Sequence, residues 1–515
     1  MDVPRDGSQA PRGTRKAWVE TYGCQMNLAD GELMQGILAA AGYAPAESIE
    51  DADVILVNTC AVREHAERRV LGRVSELNRL KHQRPDLVLG VTGCMAQRMG
   101  EDLLARAPYV DLVMGPDGYR RLPEALRAIR GAWSSAEPAV GGAVADRAGG
   151  TSQARRTLPV IATPLPEELV GVFTGDEYGE FDLTDATAPE PARLAVLDFE
   201  PHENYEGIEI RRESRLNAWV PVQRGCNHRC TFCIVPYVRG SEKNRDPAHI
   251  LEEVRAIAGS GVPEVTLLGQ TVNSYRYGDW DFARLLREVA RVDGIRRVRF
   301  TSPHPNDVTP ELVEVMASEP TVCKQLHLPV QAGNDRTLRR MLRRYTVASF
   351  LEKVELVRNA VPDIALSTDV IVAFPGETEA EFEDTLDLMR DVRFDDAFMY
   401  KYSPREGTPA TRLPPAEFVD PEIAQARIER LIDVQRAIQA EINRGEVGRV
   451  EEVLVERVAR TPGDVLGRTD RNKVVAFPGD SEIVGSFVRV RLTDTTGATF
   501  MGVLVEEPCG DRQVA

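Results

Sequence analysis

Three of the chain's eight cysteines lie within eight residues, in the stretch RGCNHRCTFCIVPYVRG that begins at Arg224. Cys226, Cys230 and Cys233 have the spacing C-x3-C-x2-C, so one loop must bring three thiols close together. A tetrahedral zinc ion would need a fourth ligand, and the nearest candidate is His228 in the same loop. Cubane iron–sulfur clusters are also bound by closely spaced cysteines, usually four. With three cysteines, one iron keeps an open position where a substrate can bind.

The composition of the whole chain restricts where such a site can work. The 515 residues are 43% hydrophobic, enough for about three domains with a core each. No apolar run approaches the roughly 20 residues that span a bilayer, and residues 1–15 lack the apolar stretch of a signal peptide. We therefore expect a cytoplasmic protein, without membrane contact, whose cysteines stay reduced and serve as ligands or catalytic groups.

The net charge of −17 argues against a nucleic-acid partner only at first sight. Between Pro164 and Ile210 there are thirteen acidic residues and one basic residue, Arg193, which together give −12. The rest of the chain therefore carries only −5. Because the acidic excess is mostly local, the global charge does not exclude binding to a nucleic acid.

Residues 16–132 alternate strand-like and helix-like segments, which is typical of a parallel α/β sheet. After a polar tail at 1–15, we predict a flavodoxin-like α/β domain. Its predicted strands are 17–23, 53–59, 87–93 and 111–115, and its predicted helices are 30–42, 62–83 and 120–131.

A second set of three cysteines follows these strands. Cys24, Cys60 and Cys94 each lie just past the C-terminal end of one of the first three strands. Ligands of open α/β sheets bind at that edge, so the three cysteines are a second candidate three-thiolate site. The alternative is that they are ordinary buried cysteines, since free cysteine is among the most buried residue types.

The rest of the chain contains three segments with different sequence patterns. Residues 133–215 are rich in Gly, Pro and acidic side chains and indicate a linker with an acidic insertion, in which 158–165 and 193–201 could form short strands. Residues 216–445 contain six strand–helix units, which predict a partial (β/α)6 barrel. Residues 446–508 have the short alternating strands of a small all-β barrel, and 509–515 form a tail. The predicted barrel strands are 219–225, 264–269, 297–302, 323–330, 365–374 and 396–403.

The cysteine loop after the first strand of a six-unit barrel resembles the radical S-adenosylmethionine (SAM) enzymes. The resemblance implies a [4Fe-4S] cluster on Cys226, Cys230 and Cys233, whose open iron binds SAM. An electron from that cluster then cleaves SAM to a 5′-deoxyadenosyl radical. The resemblance also places Phe232, just before the third cysteine, near the adenine of SAM.

Polar residues at the ends of other barrel strands are candidates for further SAM contacts. Gly376 and Glu377 fit either a turn at a helix N-terminus or a contact to the SAM amino group or ribose. Gln331 and Asn334 follow another strand and leave the same two alternatives. We interpret His304 and His327 as structural, Cys323 as a buried strand residue and Cys509 as part of the tail.

The domain order as a whole resembles the radical methylthiotransferases over nearly the entire chain, except for about residues 133–215. This resemblance implies a second [4Fe-4S] cluster on Cys24, Cys60 and Cys94, which makes two clusters in all. It also implies that the C-terminal domain is similar to the TRAM RNA-binding module. Arg449, Arg468, Arg471 and Lys473 are the cations of that domain that we expect to hold RNA.

Several short sequences indicate which type of methylthiotransferase the chain resembles. ETYGCQMN, NTCAVREHAERR, LLGQTVNSY and FTSPHP resemble the MiaB type of this family. That type is a transferase that adds a methylthio group to C2 of N6-isopentenyladenosine-37 in tRNA, using one SAM as methyl donor and one as radical source. Relatives that modify N6-threonylcarbamoyladenosine-37 or a ribosomal-protein aspartate remain alternatives. So does a non-catalytic metal-binding protein that binds RNA.

The chemistry agrees with two clusters. An aromatic C2–H is neither acidic nor electrophilic, so a carbon radical must remove its hydrogen and the metal cofactor supplies the hard step. Sulfur must reach the same carbon, which is a role for the open iron of the second cluster. We expect a monomer whose partners are the tRNA anticodon loop, an electron donor such as flavodoxin or ferredoxin, and a carrier that restores sulfur or repairs the cluster.

A basic sequence, LRRMLRRYT at 338–346, carries four arginines on a predicted helix. It fits a solvated basic face, or a surface that contacts a nucleic-acid backbone. We favour the second interpretation because the remainder of the chain is acidic.

Overall fold

The computed structural model describes residues 14–61, 64–134, 193–212 and 214–505. The chain forms two compact units, Met1–Arg211 with Tyr237–Gly240 and Arg212–Pro236 with Ser241–Ala515. The strand predicted at 158–165, the tails and Cys509 lie outside the described residues. Among the described helices, none combines the length and apolar character needed to cross a bilayer.

The first unit contains a six-stranded parallel sheet with the order β2-β1-β3-β4-β5-β6. Its strands are β1 Lys16–Thr21, β2 Ala44–Pro45, β3 Val54–Thr59, β4 Val88–Gly93, β5 Leu112–Met114 and β6 Leu194–Val196. Its helices are α1 Gln25–Ala40, α2 Glu64–Gln83, α3 Cys94–Met99, α4 Glu101–Arg106 and α5 Leu122–Ser134. This is the flavodoxin-like strand order extended by one strand, as predicted.

The two central strands are buried along their whole length, which explains why they are continuous apolar runs in the sequence. Side chains alternate between two cores because successive residues of a strand point to opposite faces. Ile55 and Val57 pack in one core, and Val54 and Leu56 pack in the other. Strand β6 lies within the predicted linker, where it pairs with β5 through Met114 and Val196.

The second unit contains two three-stranded parallel sheets, β13-β10-β7 and β14-β15-β16, and a parallel bridge between Val298 and Val322 connects β13 to the segment before β14. This arrangement is the predicted partial barrel. Its strands are β7 Asn217–Pro221, β10 Glu264–Leu268, β13 Arg297–Phe300, β14 Gln325–His327, β15 Ala365–Val372 and β16 Asp396–Lys401. Four shorter strands form two separate antiparallel pairs, β8 Gln223–Arg224 with β9 Lys243–Asn244 and β11 Arg276–Tyr277 with β12 Trp280–Asp281.

Helices follow the barrel strands and cover the core from outside. They are α7 Pro247–Gly259, α8 Phe282–Ala290, α9 Pro310–Ser318, α10 Asp335–Arg340, α11 Val347–Ala360, α12 Glu379–Val392 and α13 Pro421–Glu446. The short helix α6, Val235–Arg239, ends in residues that belong to the first unit. The starts of the barrel helices are encoded locally. For example, Thr378 and Glu381 form a capping box in which each side chain binds the other's backbone N–H.

The C-terminal part of the second unit is a closed five-stranded barrel with the order β17-β18-β19-β21-β20. Its strands are β17 Val450–Val458, β18 Asp464–Thr469, β19 Val474–Pro478, β20 Phe487–Thr495 and β21 Thr499–Leu504. Val453, Val465, Phe477 and Phe500 fill its core. The small all-β barrel is therefore present as predicted.

Candidate active site: two cysteine triads

The barrel triad, Cys226, Cys230 and Cys233, lies in the loop between β8 and α6. The loop starts at Gly225, whose φ of +77° favours glycine. It is fixed internally by the Cys233 N–H, which donates to the carbonyl of Cys230 at 3.1 Å. Burial raises the pKa of Cys226 to about 11 and that of Cys233 to about 12. A metal that binds these thiols must therefore displace their protons.

Arg343 contacts this triad from a distant part of the chain. Its Nη1 donates to Sγ of Cys230 at 3.3 Å, while Nε donates to the Tyr345 hydroxyl at 2.9 Å. Only 9% of Arg343 is exposed. The interpretation of 338–346 as a basic surface is therefore wrong for Arg343, although Arg339 and Arg344 of the same sequence are exposed. No pattern in the sequence indicated that one of these four neighbouring arginines is buried.

The LLGQTVNSY sequence supports the cysteine loop from the other side. The Thr271 hydroxyl lies 3.9 Å from Sγ of Cys226 and 3.0 Å from the Glu242 carboxylate. The buried Gln223 side chain accepts from the Thr271 N–H at 3.1 Å and donates to Ser274 at 2.9 Å. These polar groups position the loop, and Gln223 and Glu242 were not among the residues that the sequence singled out.

His228 is directed to other partners than the cysteines. Its ring stacks on that of His304 at a centroid distance of 3.9 Å, and its Nε2 lies 3.8 Å from Oδ2 of Asp307. Among the described residues, this is the one group of three potential ligand atoms within 4.8 Å of one another, and it contains no cysteine. The arrangement does not support His228 as the fourth ligand of a zinc ion among the cysteines. A cubane cluster, which binds its thiolates at separate corners, fits three cysteines without it.

The second triad lies at one edge of the flavodoxin-like sheet. Cys24 precedes α1 directly after β1, Cys60 follows β3, and Cys94 begins α3 after β4. These three strands are neighbours and parallel, so their C-terminal ends meet where the strand order reverses. Cys60 and Cys94 are buried, whereas Cys24 is exposed. Gly23, at a φ of +134°, is needed here because a Cβ would lie 2.6 Å from that of Cys60.

The pKa values of Cys24 and Cys94 in this second triad shift in opposite directions. A hydrogen bond with Cys60, helped by the charge of Arg239, lowers the pKa of Cys24 to about 6 despite desolvation. Burial raises the pKa of Cys94. The lowered pKa of Cys24 favours its thiolate, which is the form that binds metal.

Arg239 belongs to the first unit and is the buried cation beside the second triad. Its Nε donates to Sγ of Cys94 at 3.1 Å, and its Nη2 donates to Oδ2 of Asp30 at 2.7 Å. Asp30 and Asn27 lie on α1 and are completely buried. Two polar residues on an otherwise apolar stretch of helix, three positions apart, were the available signal for this site.

Comparison with known proteins identifies the family. The chain matches the radical SAM superfamily over residues 220–389, the uncharacterized protein family UPF0004 over 16–115 and the TRAM domain over 444–505. It is 40% identical to the tRNA-2-methylthio-N(6)-dimethylallyladenosine synthase of Chlorobium luteolum, over 96% of this chain and 97% of that protein. The same name belongs to a relative from Carboxydothermus hydrogenoformans, also 40% identical, over 95% and 99%.

The chain belongs to the tRNA-2-methylthio-N(6)-dimethylallyladenosine synthase family. Membership confirms the predicted MiaB-type resemblance, the radical SAM enzyme class and the TRAM domain. A solved structure shares the fold at 13% identity and a TM-score of 0.53. It is the radical SAM methyltransferase TsrM from Kitasatospora setae with tryptophan and a SAM analogue, and the match covers 82% of this chain and 89% of that one. The match to the radical SAM superfamily supports an iron–sulfur cluster and SAM as cofactors of this chain.

Two of the predicted SAM contacts of this family member lie in strained or close-packed backbone. Gln331 is buried and has a φ of +71°, and its N–H donates to the carbonyl of Asp369 at 2.9 Å. A non-glycine residue in this region is strained and is held by its surroundings, which is common at functional sites. Gly376 has a φ of +81°, and a Cβ there would lie 2.8 Å from Nη2 of Arg340. The SAM contacts of both residues stay predictions.

Glu377 and Phe232 have partners within the barrel. The Glu377 carboxylate accepts from the Ala373 N–H at 2.6 Å and from Nη1 of Arg427 at 2.9 Å. Burial raises its pKa to about 7. Phe232 is half-buried against the barrel core. Glu377 thus anchors the end of β15 to α13, and a SAM contact for either residue stays a prediction.

The TRAM domain of this synthase uses two of its predicted RNA-binding cations for another purpose. Lys473 pairs with Asp395 at 2.6 Å and donates to Asn443 at 3.0 Å, which are residues of the α/β part. Arg471 is buried and pairs with Glu446 at 2.8 Å. This corrects the sequence interpretation, because both cations join the small barrel to the rest of the second unit. Arg449 and Arg468 pair with Asp363 and Glu456 at the surface.

Proposed function

We propose that this chain transfers a methylthio group to C2 of N6-isopentenyladenosine-37 in tRNA, using one SAM as methyl donor and a second as radical source. The observation that carries the proposal is the pair of cysteine triads, each with a buried arginine that donates to one sulfur, in a chain of this family. A single triad would serve radical formation alone. The second triad provides a separate site for the sulfur of the methylthio group.

We assign one [4Fe-4S] cluster to Cys226, Cys230 and Cys233, and a second to Cys24, Cys60 and Cys94. Bound at the barrel triad, a cluster supplies the electron that cleaves SAM. The chain's own part is to hold the loop through Thr271 and to keep a cation and an N–H donor at Cys230 through Arg343. Such outer contacts orient metal ligands and tune the metal.

Three residues of the strand ends are our candidates for holding SAM: Gln331, Gly376 and Glu377. They follow β14 and β15, and active sites of α/β barrels lie at the C-terminal ends of the strands. Phe232 is the candidate for contact with the adenine. None of these residues needs to move a proton in the proposed reaction.

The TRAM domain is our candidate for binding the anticodon loop. Arg457, Arg460 and Arg491 are exposed on the small barrel. Single-stranded RNA is bound in part by cationic groups that follow its phosphate backbone. Cations for the phosphates are therefore available without Arg471 and Lys473.

The reaction also sets the remaining partners. Each turnover consumes an electron and a sulfur atom, so a reductant such as flavodoxin or ferredoxin and a sulfur or cluster-repair carrier must interact with the enzyme. A tRNA substrate supports the cytoplasmic location that we propose for this chain. We propose that it works as a monomer, because each chain carries both triads and the TRAM domain.

Nucleoside mass spectrometry of tRNA tests the function. The chain is expressed in a bacterial strain that makes isopentenyladenosine but lacks its own methylthiolating enzyme, beside Cys230→Ala and Cys60→Ala variants. The wild-type chain should convert isopentenyladenosine to its 2-methylthio form, and both variants should not. Methylthiolation of threonylcarbamoyladenosine instead, or unchanged tRNA nucleosides, would contradict the proposal.

A further inference from the structure

A small surface, here called the Leu342 surface, lies beside the loop of the barrel triad. Its four exposed side chains come from two segments of the chain: Arg229, Arg339, Leu342 and Arg344. The two segments are in direct contact, since Thr231 donates its N–H to the carbonyl of Met341 at 3.0 Å and its hydroxyl to the carbonyl of Arg340 at 2.9 Å. A third contact is that of Arg343 with Sγ of Cys230 at 3.3 Å. Each of the four exposed residues is at most two positions from one of these contacts, so the four lie close together.

The three arginines of the Leu342 surface have no acidic partner among the described residues. Other arginines of the same sequence are neutralised, because Arg336 pairs with Glu381 at 2.7 Å and Arg340 pairs with Glu417. The surface therefore keeps its positive charge, in a chain whose net charge is −17. A negatively charged partner is repelled by the chain as a whole and attracted here, so the charge directs it to this place.

Leu342 has a backbone conformation that the packing of the fold does not explain. It lies just after α10, and its φ of +54° is the left-handed conformation in which many helices end. Its N–H donates to the carbonyl of Arg339 at 3.0 Å, and the next N–H donates to that of Leu338 at 2.9 Å. Glycine is the usual residue there, because a side chain in this conformation is strained. Since Leu342 is 51% exposed, contacts within the chain offset little of that strain, and the strained side chain points to a contact with a partner.

The position of the Leu342 surface indicates which kind of partner it binds. Cys226 and Cys230 are only 8% exposed, so a group that they hold is enclosed and must receive its electron through a nearby surface. The Leu342 surface touches the triad through Arg343. Arginines around an exposed apolar side chain suit a protein partner, whereas leucine offers no ring on which a nucleobase can stack. A small area is sufficient, because electron-transfer complexes have some of the smallest protein interfaces.

We propose that the Leu342 surface docks a small acidic electron-carrier protein. The inference rests on the proposed function, because a chain needs such a carrier only if it cleaves SAM reductively. Acidic side chains of the carrier pair with the three arginines, and an apolar group of the carrier covers Leu342. The reduced carrier is oxidised by one electron, which passes to the group held by the barrel triad, and no atom is transferred.

Binding of a bacterial flavodoxin with negative net charge is measured by calorimetry on the full chain, reconstituted anaerobically with iron and sulfide. The variants are the double replacement Arg339→Glu with Arg344→Glu, and Leu342→Gly. Arg255→Glu is the matched control, because Arg255 is an exposed arginine of α7 that is likewise unpaired within the described part of the chain. Deoxyadenosine formation is compared with reduced flavodoxin and with dithionite, a small reductant that needs no docking surface.

We expect the double Glu variant to bind flavodoxin at least about tenfold more weakly, because like charges then face each other, and to lose the salt dependence of the wild type. Leu342→Gly should weaken binding about fivefold, as expected for a lost apolar contact, and keep that salt dependence. Its melting temperature should stay at or above the wild-type value, since glycine removes the strain at this φ. Arg255→Glu should bind like the wild type. Iron content and the rate with dithionite should be unchanged in every variant.

Wild-type affinity for flavodoxin in both the double Glu variant and Leu342→Gly overturns the inference. Weaker tRNA binding in these variants with unchanged flavodoxin binding also overturns it, because the surface would then belong to the RNA. Nucleoside analysis separates the inference from the function. Methylthiolated tRNA together with equal flavodoxin affinity in all variants removes the inference alone, whereas surface-dependent flavodoxin binding without any methylthiolated tRNA removes the function alone.

Discussion

Nη1 of Arg343 donates a hydrogen bond to Sγ of Cys230 at 3.3 Å inside the α/β barrel. The guanidinium is fixed by two further contacts, to the Tyr345 hydroxyl and to the carbonyl of Pro329 at 3.2 Å. A buried cation that donates to a ligating sulfur favours the more negative, reduced state of an iron–sulfur cluster. Arg343 therefore has a role that can be tested separately from the cysteines.

Replacing Arg343 by Gln should lower the reduction potential of the barrel cluster and slow deoxyadenosine formation by about 10–100-fold, the usual effect of losing an outer contact. Arg344→Gln is the control, since Arg344 is the next residue and is exposed. Redox titration followed by electron paramagnetic resonance gives the potential. Identical potentials in the two variants would show that the contact with Cys230 does not reach the cluster.

Single Ala variants at Cys226, Cys230 or Cys233 should abolish deoxyadenosine formation and lower the iron content by about four per chain. The reason is that three thiolates bind three corners of one cluster, and two do not hold it. Iron analysis and chromatography of deoxyadenosine provide the measurements. Cys323→Ala, at a buried cysteine outside both triads, should retain both properties. Retained SAM cleavage in Cys230→Ala would refute the assignment.

The triple variant Cys24→Ala, Cys60→Ala and Cys94→Ala should still cleave SAM but transfer no sulfur to tRNA. Its iron content should fall by about four while the barrel cluster remains. Deoxyadenosine and methylthiolated nucleoside are measured in the same reaction. Normal amounts of product would mean that this triad is structural. Loss of both activities would mean that the two sites are not independent.

The position of the second triad at the edge of the sheet could be predicted from the sequence because it depends on local patterns. Strands β3 and β4 are uninterrupted apolar runs, and a cysteine directly after each one must lie at the sheet's C-terminal edge. The contact of Arg239 with this triad could not be predicted from the sequence. Arg239 contacts Asp30, which is 209 positions away, and nothing in a helical or strand period reports a partner at that distance. Long-range pairing of buried charges is a property of the fold.

Two other features could not be predicted from the sequence: backbone conformations with positive φ at non-glycine residues, and the ion pair of Lys473. Gln331 and Ala373 have φ values of +71° and +59°, and sequence patterns indicate such conformations only through glycine, asparagine or aspartate. The sequence interpretation of Lys473 as an RNA-binding cation rested on its positive charge and on its position in the small barrel. Its ion pair with Asp395 depends on the contact between the small barrel and the α/β barrel, which no local sequence pattern indicates.

Glu377 should make stability depend on pH. Burial raises its pKa from 4.5 to about 7, so the folded state binds the proton more tightly than the unfolded state does. Its contribution is therefore full below about pH 4.5 and is lost as the pH rises through about 7. Between pH 5 and 8, the wild-type melting temperature should fall relative to that of Glu377→Gln.

Glu379→Gln is the matched control for that measurement. Glu379 is exposed, and its hydrogen bond with Arg430 lowers its pKa from 4.5, so its small contribution is complete above about pH 4.5 and should stay level between pH 5 and 8. Scanning calorimetry at several pH values gives both differences. Parallel melting curves for the wild type and Glu377→Gln would show that Glu377 titrates normally in the folded protein.

Lys473 and Arg491 should separate the docking of the TRAM domain from its binding of RNA. Both are cations of the same small barrel, but Lys473 is enclosed by Asp395 and Asn443, whereas Arg491 is exposed. Lys473→Met leaves the Asp395 carboxylate unpaired in a largely buried position and should lower the free energy of unfolding by about 3 kcal/mol. Arg491→Gln should leave it within about 0.5 kcal/mol.

The same two variants should behave oppositely towards tRNA once the protein is folded. Arg491→Gln should weaken tRNA binding and lower the slope of log affinity against log salt by about one, as expected for one lost phosphate contact. Lys473→Met should keep the wild-type slope under conditions where it is fully folded, because its cation never reaches the phosphates. Denaturant unfolding and filter binding at several salt concentrations measure the two effects. A reduced slope in Lys473→Met would return this cation to the RNA-binding surface, against its contact with Asp395.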